Sequence, residues 1–342
     1  MRAVVIREHG GLDRLNLEER PTPSPAAHEV LVRVRACAMN HLDTWVRRGV
    51  PGHKFPLPIV PGCDVSGTIE ALGAGVTSVK VGDAVAIAPG IGCGACEPCA
   101  DGQDSLCRFY GILGETRDGG CAEFVTVPAR NCLPKPKNLS FEEAAAVPLV
   151  FLTSWHMLVA RARVQPGDDV LVHAAGSGVG SASIQIAKLH GARVIATAGS
   201  DAKCARAREL GADATVNYST QDFVAAVKEF TNKRGVRIAI DHVGATTITK
   251  SLACLSKGGM VVTCGATAGF DLTADLRAIY FKSLAILGST MGSLGEVHDV
   301  LRLVEQSRLK PIVHRVLPLA EIREAHRILG DREVFGKVVV TP

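Results

Sequence analysis

Four cysteines lie close together in the chain at a spacing that is typical of a metal site. The four are Cys93, Cys96, Cys99 and Cys107, which form the pattern Cys-x2-Cys-x2-Cys-x7-Cys. They lie in a polar segment whose glycines and proline allow tight turns. Four thiolates at this spacing can surround one zinc ion tetrahedrally. Because sulfur would fill every coordination position, none is left for a substrate, and we predict one structural zinc ion per chain. Residues 92–108 are called the zinc lobe below.

A glycine-rich turn offers a second kind of chemistry. Residues 173–180 read His-Ala-Ala-Gly-Ser-Gly-Val-Gly, after a β-rich run at 169–173 and at the start of a helical pattern over 178–190. Glycines in such a turn let backbone amides approach a pyrophosphate at the helix N-terminus, where the helix dipole favours negative charge. We therefore predict a dinucleotide cofactor whose pyrophosphate is held by Gly176, Ser177, Gly178 and Val179.

The end of the next predicted strand bears on the choice between NAD and NADP. An NAD site usually places Asp or Glu there to bind the ribose 2′-hydroxyl. Here the strand ends in Thr-Ala-Gly-Ser at 197–200, and the first carboxylate, Asp201, comes after it. The missing carboxylate and the nearby cations favour NADP, with NAD as the alternative. The expected 2′-phosphate ligands are Ser200, Lys203 and Tyr218.

Two sequence patterns predict the structural elements that carry these motifs. Up to about residue 140, short strand-like runs are separated by Pro and Gly clusters, which is typical of a compact β-rich body. A capping box at Ser140 and Glu143 then predicts the start of a helix. From about residue 167, short apolar strands alternate with amphipathic helices, which predicts a parallel sheet covered on both faces. Its expected strands are 169–173, 193–198, 214–217, 237–243 and 260–264, and its expected helices are 178–190, 201–210 and 223–230.

Composition excludes several classes of protein. The chain has 342 residues, 47% of them apolar, so it is long enough for about two globular domains. Its net charge of +4 is too small and too scattered to indicate nucleic acid as the main partner. The longest uncharged run, 144–160, is too short and too polar to span a membrane comfortably. With no secretory signal pattern, we expect a cytoplasmic protein with no membrane partner.

The remaining cysteines indicate packing rather than cross-linking. Eleven cysteines, an odd number, in a chain without an export signal argue against a disulfide framework. Cys204, Cys254 and Cys264 stand singly in apolar surroundings, and we expect them to behave as small buried apolar residues.

Taken together, these motifs resemble the medium-chain dehydrogenase/reductases, which include zinc alcohol dehydrogenases and quinone oxidoreductases. The resemblance runs nearly end to end, through VLVRVRACAMNHLD, GCDVSGTIEALGAGVTSVKVGDAVA, the zinc lobe, AAGSGVG and FGKVVV. It implies an α/β protein: a GroES-like β-rich catalytic domain at 1–140 and 290–342, and a Rossmann doubly wound domain at 141–289. It further implies a substrate cleft between them, NAD(P)-dependent hydride transfer, and a homodimer or homotetramer.

Residue by residue, the resemblance departs at the catalytic zinc of the alcohol dehydrogenases. The ligand positions hold Asn40, Cys63 with Asp64, and Leu149, and the hydroxyl residue that relays the alcohol proton is replaced by Leu42. Two ligands are therefore lost, whereas an asparagine at position 40 resembles the zinc-free quinone oxidoreductases. The candidate catalytic residues are Asn40, Asp43, Cys63 and Asp64.

The resemblance also assigns residues around the cofactor. Thr153 and Gly265 would line the nicotinamide ring, and Ser177 replaces the middle glycine of the pyrophosphate turn, which implies a slightly different approach of the cofactor.

Without a Lewis acid, a simple carbonyl is a poor substrate, because the metal contributes several kcal/mol of charge stabilisation at the oxygen. A quinone or an α,β-unsaturated ketone spreads the charge over a conjugated system, and hydrogen bonds from Asn40 or from backbone amides then suffice. We expect an NADPH-preferring reductase of a small conjugated carbonyl compound. Two alternatives are a zinc alcohol dehydrogenase that uses Cys63, Asp64 and His41 as unusual ligands, and a non-enzymatic relative resembling lens crystallins or RNA-binding proteins.

Overall fold

The computed structural model describes all 342 residues and divides the chain into two units. Unit 1 comprises Met1–Leu152 and Gly292–Pro342, and unit 2 comprises Thr153–Met291. The first division therefore falls after Leu152, not after residue 140 as expected. The helix that the capping box begins packs on strands of unit 1, which keeps the following residues with that unit.

Seventeen strands are present. In chain order they are β1 (Arg2–Val5), β2 (Asn16–Glu19), β3 (Glu29–Ala38), β4 (Asp64–Leu72), β5 (Ala84–Ile87), β6 (Gly90–Ile91), β7 (Gly111–Ile112), β8 (Phe124–Pro128), β9 (Cys132–Pro134), β10 (Asp169–Val172), β11 (Arg193–Ala198), β12 (Ala214–Asn217), β13 (Val236–Ile240), β14 (Leu255–Thr263), β15 (Ala285–Gly288), β16 (Val313–Pro318) and β17 (Lys337–Thr341).

Eleven α-helices accompany the strands, and none combines the length and apolar composition needed to cross a membrane. They are α1 (His41–Arg48), α2 (Glu97–Ala100), α3 (Phe141–Ala145), α4 (Pro148–Trp155), α5 (Gly178–Leu189), α6 (Asp201–Glu209), α7 (Phe223–Phe230), α8 (Ile248–Ala253), α9 (Leu276–Lys282), α10 (Leu294–Glu305) and α11 (Ile322–Gly330).

Unit 1 is built on a seven-stranded sheet in the order β16-β17-β3-β4-β5-β9, with β8 also paired to β3. All neighbours are antiparallel except β16 and β17. Strand β17, from the end of the chain, pairs with the end of β3 at Val339–Ala38 and Val340–Cys37. This pairing places residues from the two ends of the sequence side by side, next to the start of α1.

Unit 2 contains a six-stranded parallel sheet in the order β12-β11-β10-β13-β14-β15. The central strands are buried and mostly apolar, for example Val170–Val172 and Val194–Ala196, as a sheet buried on both faces requires. Because all six strands are parallel, their carboxyl ends meet at one edge, and α5 and α6 begin there. The predicted α/β class is confirmed.

A group of apolar side chains in unit 2 is exposed on the edge strand β15, on α9 and in the segment before α9. It comprises Phe270, Leu272, Leu276, Tyr280, Phe281 and Ile286. Exposed apolar groups beside an open sheet edge are typical of an interaction surface. The expected homodimer or homotetramer stays a prediction.

Candidate functional site

The four cysteines of the zinc lobe converge on one point. Their Sγ atoms all lie within 4.8 Å of one another, and Cys93 Sγ is 4.0 Å from Cys99 Sγ. Tetrahedral zinc with bonds of about 2.3 Å needs sulfur atoms roughly 3.8 Å apart. The short pairing of β6 with β7 closes the segment that carries the cysteines. The donor set therefore fits a zinc ion, and no other group of three or more metal-ligating side chains in the chain lies close enough to share an ion.

Backbone amides of the zinc lobe point at the sulfur atoms. Cys107 Sγ accepts from the amides of Cys93 and Phe109, each at 3.3 Å, and Cys99 Sγ accepts from that of Gly94 at 3.3 Å. Amide hydrogen bonds from Ala95 and Cys96 lower the pKa of Cys93 to about 6. Such donors favour the thiolate form, which is the form that binds metal.

In unit 2, the glycine-rich turn lies at the carboxyl end of β10. Ser177 caps α5, its Oγ accepting from the amide of Gly180 at 2.9 Å. A Cβ built on Gly180 would lie 2.2 Å from the Ala174 carbonyl oxygen, so only glycine allows this approach of helix and turn. The first amides of a helix have no partner inside it. The turn therefore fits a pyrophosphate, and its four predicted ligands lie together.

The expected 2′-phosphate ligands lie at the next two strand ends. Ser200 caps α6 by accepting from the amide of Lys203 at 3.3 Å, and Tyr218 follows β12. A Cβ on Gly199 would lie 2.7 Å from the Tyr218 hydroxyl, so this ring lies over the end of β11. The nearest carboxylate, Asp201, accepts from Asn217 Nδ2 at 2.9 Å. The structure brings all three predicted residues to one corner of the sheet.

The two predicted nicotinamide residues are also in unit 2. Thr153 is buried on α4 and its Oγ1 lies 3.8 Å from Met291 Sδ, while Gly265 comes just after β14. Of the three single cysteines, Cys204 and Cys254 are buried, and Cys264 beside Gly265 is partly exposed.

A buried polar network lies below the edge of the parallel sheet where α5 and α6 begin, and the sequence analysis did not predict it. His173 lies 3.0 Å from Thr197 Oγ1 through Nδ1 and 2.9 Å from Ser251 Oγ through Nε2. Ser251 donates to Asp241 Oδ2 at 2.7 Å, and Thr247 donates to Asp241 Oδ1 at 2.8 Å. Burial lowers the pKa of His173. The network ties together the ends of β10, β11 and β13.

In unit 1, the candidate catalytic residues lie together at the start of α1. Asn40 Nδ2 donates to Asp64 Oδ2 at 2.9 Å and to Cys63 Sγ at 3.2 Å. Asp64 Oδ1 accepts from the amide of Leu149 at 2.8 Å. The ligand positions of an alcohol dehydrogenase are thus joined to one another by hydrogen bonds.

Lys337 completes this group, and the sequence analysis missed it as a site residue. Its Nζ donates to Asn40 Oδ1 at 2.5 Å and to Asp64 Oδ2 at 2.9 Å, although 297 and 273 positions separate these residues. Lys337 is 4% exposed and Asp64 0%. A lysine that opens an otherwise apolar strand was the available signal, because a buried lysine needs an anionic partner. Asn40, Asp64 and Lys337 are called the buried triad below.

The buried triad does not fit a second, catalytic zinc ion. An ammonium group already contacts Asp64 and Asn40, so a divalent cation there would face a like charge. Burial and the neighbouring Asp64 raise the pKa of the Cys63 thiol well above its usual range, so a metal ion would have to displace the thiol proton to bind there. The side chains of Leu149 and Leu42 are apolar and pack against the core, so neither can bind a metal ion.

Asp43 supports the same region from the first turn of α1. Its carboxylate accepts from the amide of Asn40 at 2.7 Å and from that of Gly62 at 2.9 Å. Burial raises the pKa of Asp43 to about 6, even though both hydrogen bonds favour the charged form. Asp43 makes no hydrogen bond with another side chain, so its direct effect is to hold the backbone of Asn40 and Gly62 in position.

The Asp43 pKa predicts a pH-dependent stability. Between about pH 4 and 6 the folded protein binds a proton that the unfolded chain, with a pKa near 3.9, releases. This group's contribution to the free energy of unfolding should therefore fall by on the order of 3 kcal/mol as pH rises through that window. Urea titrations should show the fall in wild type and its absence in Asp43→Asn. An exposed control, Asp271→Asn, should keep it; a wild-type slope unchanged in Asp43→Asn would refute the assignment.

Comparisons with known proteins agree with this geometry. Residues 26–137 match the family model for the alcohol dehydrogenase GroES-like domain, and residues 178–306 match that for zinc-binding dehydrogenases. A zinc-type alcohol dehydrogenase-like protein of Schizosaccharomyces pombe is 34% identical over 99% of both chains. The quinone oxidoreductase of Rattus norvegicus is 30% identical over 99% of this chain and 97% of its own. A crystal structure of an NAD-dependent alcohol dehydrogenase superposes with a TM-score of 0.96 at 51% identity, over all of both chains.

The chain belongs to the medium-chain dehydrogenase/reductase superfamily and is an NAD(P)-dependent oxidoreductase. The predicted GroES-like and Rossmann domains are confirmed.

Proposed function

We propose that this protein is an NADPH-preferring reductase of a conjugated carbonyl compound, a quinone or an α,β-unsaturated ketone, with a structural zinc ion in its lobe. The buried triad carries the proposal. At the positions where alcohol dehydrogenases bind their catalytic metal, this chain places an ammonium group that is already paired with Asp64 and Asn40.

The charge balance of the site favours a conjugated substrate. The positive charge of Lys337 is offset by Asp64 at 2.9 Å, and Asp43 adds negative charge above its pKa of about 6. The site therefore offers no net positive charge to an oxygen that gains electron density. A conjugated acceptor delocalises that charge, so hydrogen bonds alone suffice for its reduction.

Asn40 orients the site rather than offering a free donor. Its Oδ1 accepts from Lys337, and its Nδ2 faces Asp64 and Cys63, so every side-chain atom able to hydrogen bond has a partner in the chain. A substrate oxygen must therefore displace one of these contacts to reach the Asn40 amide. Otherwise it is met by backbone amides.

The bound dinucleotide would supply the hydride. The chain would contribute binding and orientation: the start of α5 would hold the pyrophosphate, and Thr153 and Gly265 would limit the position of the ring. Burial of the buried triad excludes water from its ion pair.

The test compares two substrates on the wild-type protein. With NADPH, a conjugated cyclic enone should be reduced, whereas a simple primary alcohol with NADP should be oxidised poorly or not at all. Asn40→Ala removes the amide that a substrate oxygen would reach by displacing Asp64 or Cys63. It should lower kcat/KM for the enone roughly ten- to a thousandfold and leave the cofactor Kd unchanged. Chelator-sensitive alcohol oxidation with turnover of about 1–1000 per second would contradict the proposal.

The NADP preference gives a separate prediction. Because no carboxylate ends β11 and Lys203 lies in the first turn of α6, Lys203→Ala should weaken NADPH binding by about 1–3 kcal/mol. NADH binding should hardly change. Fluorescence titrations of both cofactors measure this, with Arg208→Ala, exposed on the same helix, as the matched control. Equal wild-type affinities for NADPH and NADH would refute the preference.

The second candidate is an alcohol dehydrogenase with unusual ligands, favoured by the 51% identity to an NAD-dependent alcohol dehydrogenase. It requires a second metal ion near Cys63 and Asp64, and therefore two ions per chain instead of one.

A further inference from the structure

Ser177 gives the pyrophosphate turn a hydroxyl group where the usual dinucleotide pattern has glycine. This hydroxyl has two contacts in the structure. It accepts from the amide of Gly180 at 2.9 Å, and its Oγ lies 3.0 Å from Nε2 of His242. The second contact joins the turn after β10 to the residues that follow β13.

His242 is held firmly in this position. Strands β10 and β13 are parallel neighbours, paired at Val170–Ile238 and Val172–Ile240, so the turns that follow them lie side by side. The preceding Asp241 is 0% exposed and accepts from the amides of Val243 and Gly244 at 3.0 and 3.1 Å. His242 itself is 8% exposed. The backbone that carries the His242 imidazole is therefore fixed in position beside Ser177.

The hydrogen-bond chemistry of this pair depends on the cofactor. A hydroxyl has one hydrogen to donate and two lone pairs that accept. If His242 donates through Nε2, Ser177 accepts from both His242 and Gly180, and its own hydrogen stays available. A phosphate oxygen only accepts hydrogen bonds, so a bound pyrophosphate selects this arrangement.

We propose that His242 is a positioning residue for the cofactor's pyrophosphate and acts through Ser177. It donates to the Ser177 hydroxyl, which directs the hydroxyl hydrogen at a phosphate oxygen beside the start of α5. This proposal rests on the proposed cofactor site. It explains how the turn tolerates a serine at this position: the added hydroxyl becomes a ligand instead of an obstruction.

The experiment is a double-mutant cycle read by cofactor binding. In the wild-type background, His242→Phe should weaken binding of NADPH, NADH and ADP-ribose alike, by about tenfold. Adenosine 2′-monophosphate, which has no pyrophosphate, should lose less than about twofold. In a Ser177→Gly background, His242→Phe should have less than about a twofold effect on any of the four. His242→Gln, which keeps a donor, should recover part of the affinity.

Thermal unfolding of each variant shows whether the fold is retained. Equal losses in both backgrounds, an equal loss for adenosine 2′-monophosphate, or no loss for any dinucleotide would overturn the role of His242. Wild-type protein that binds none of the dinucleotides would instead overturn the proposed function, and this inference with it.

Discussion

Replacing Lys337 with methionine should lower the free energy of unfolding by about 3–5 kcal/mol. The substitution leaves Asp64, which is 0% exposed, with a buried charge and no cation, and it removes the donor to Asn40 Oδ1. Methionine has nearly the same length as lysine, so lost packing contributes little. Urea unfolding at pH 7 measures the change.

A second substitution separates the charge effect from a general loss of structure. Adding Asp64→Asn to Lys337→Met removes the uncompensated charge, and the double variant should recover a large part of the lost stability. Lys137→Met, at an exposed position of unit 1, should have little effect. The ion-pair assignment is wrong if Lys337→Met behaves like Lys137→Met, or if the double variant is less stable than the single one.

The second large effect is expected in the zinc lobe. Wild-type protein should contain one zinc ion per chain, and Cys96→Ser should contain none and lose several kcal/mol of stability. The reason is that one missing thiolate opens a site whose four sulfur atoms lie within 4.8 Å of one another. Quantitative metal analysis and urea unfolding of the same samples measure both effects.

Cys132→Ala is the matched control, because Cys132 is buried in the core of unit 1 and is not one of the four cysteines that converge in the zinc lobe. It should keep one zinc ion per chain. Two ions per chain in wild type, or an unchanged zinc content in Cys96→Ser, would contradict the assignment.

The sequence predicts most helices and strands of unit 2 well, because their boundaries are set by nearby residues. Strands β11 and β12 and helix α7 have the predicted bounds, because each is a short run between clear turn residues. For β14 the sequence predicts a start at residue 260, because the glycine pair at 258–259 suggests a turn. In the structure β14 begins at Leu255. The structure accommodates these glycines in a strand whose pairing with β13 shifts register.

The candidate site is predictable only where its residues are close in sequence. The zinc lobe and the pyrophosphate turn each lie within 20 positions and carry their own spacing signal. Lys337 meets Asn40 only because β17 pairs with β3, and His242 meets Ser177 only because β13 pairs with β10. Strand order is a tertiary property, so local sequence identifies neither partner; Lys337 at the start of an apolar strand indicates only that an anionic partner is needed.

The most direct test of the proposed chemistry follows the hydride itself. Wild-type protein should be incubated with NADPH deuterated at the transferred position and with a conjugated cyclic enone, and the product analysed by NMR. We predict deuterium on the carbon β to an intact carbonyl group, because the buried triad provides no net positive charge to polarise the oxygen. Deuterium on the former carbonyl carbon, in an allylic alcohol, would show direct carbonyl reduction and contradict the proposal.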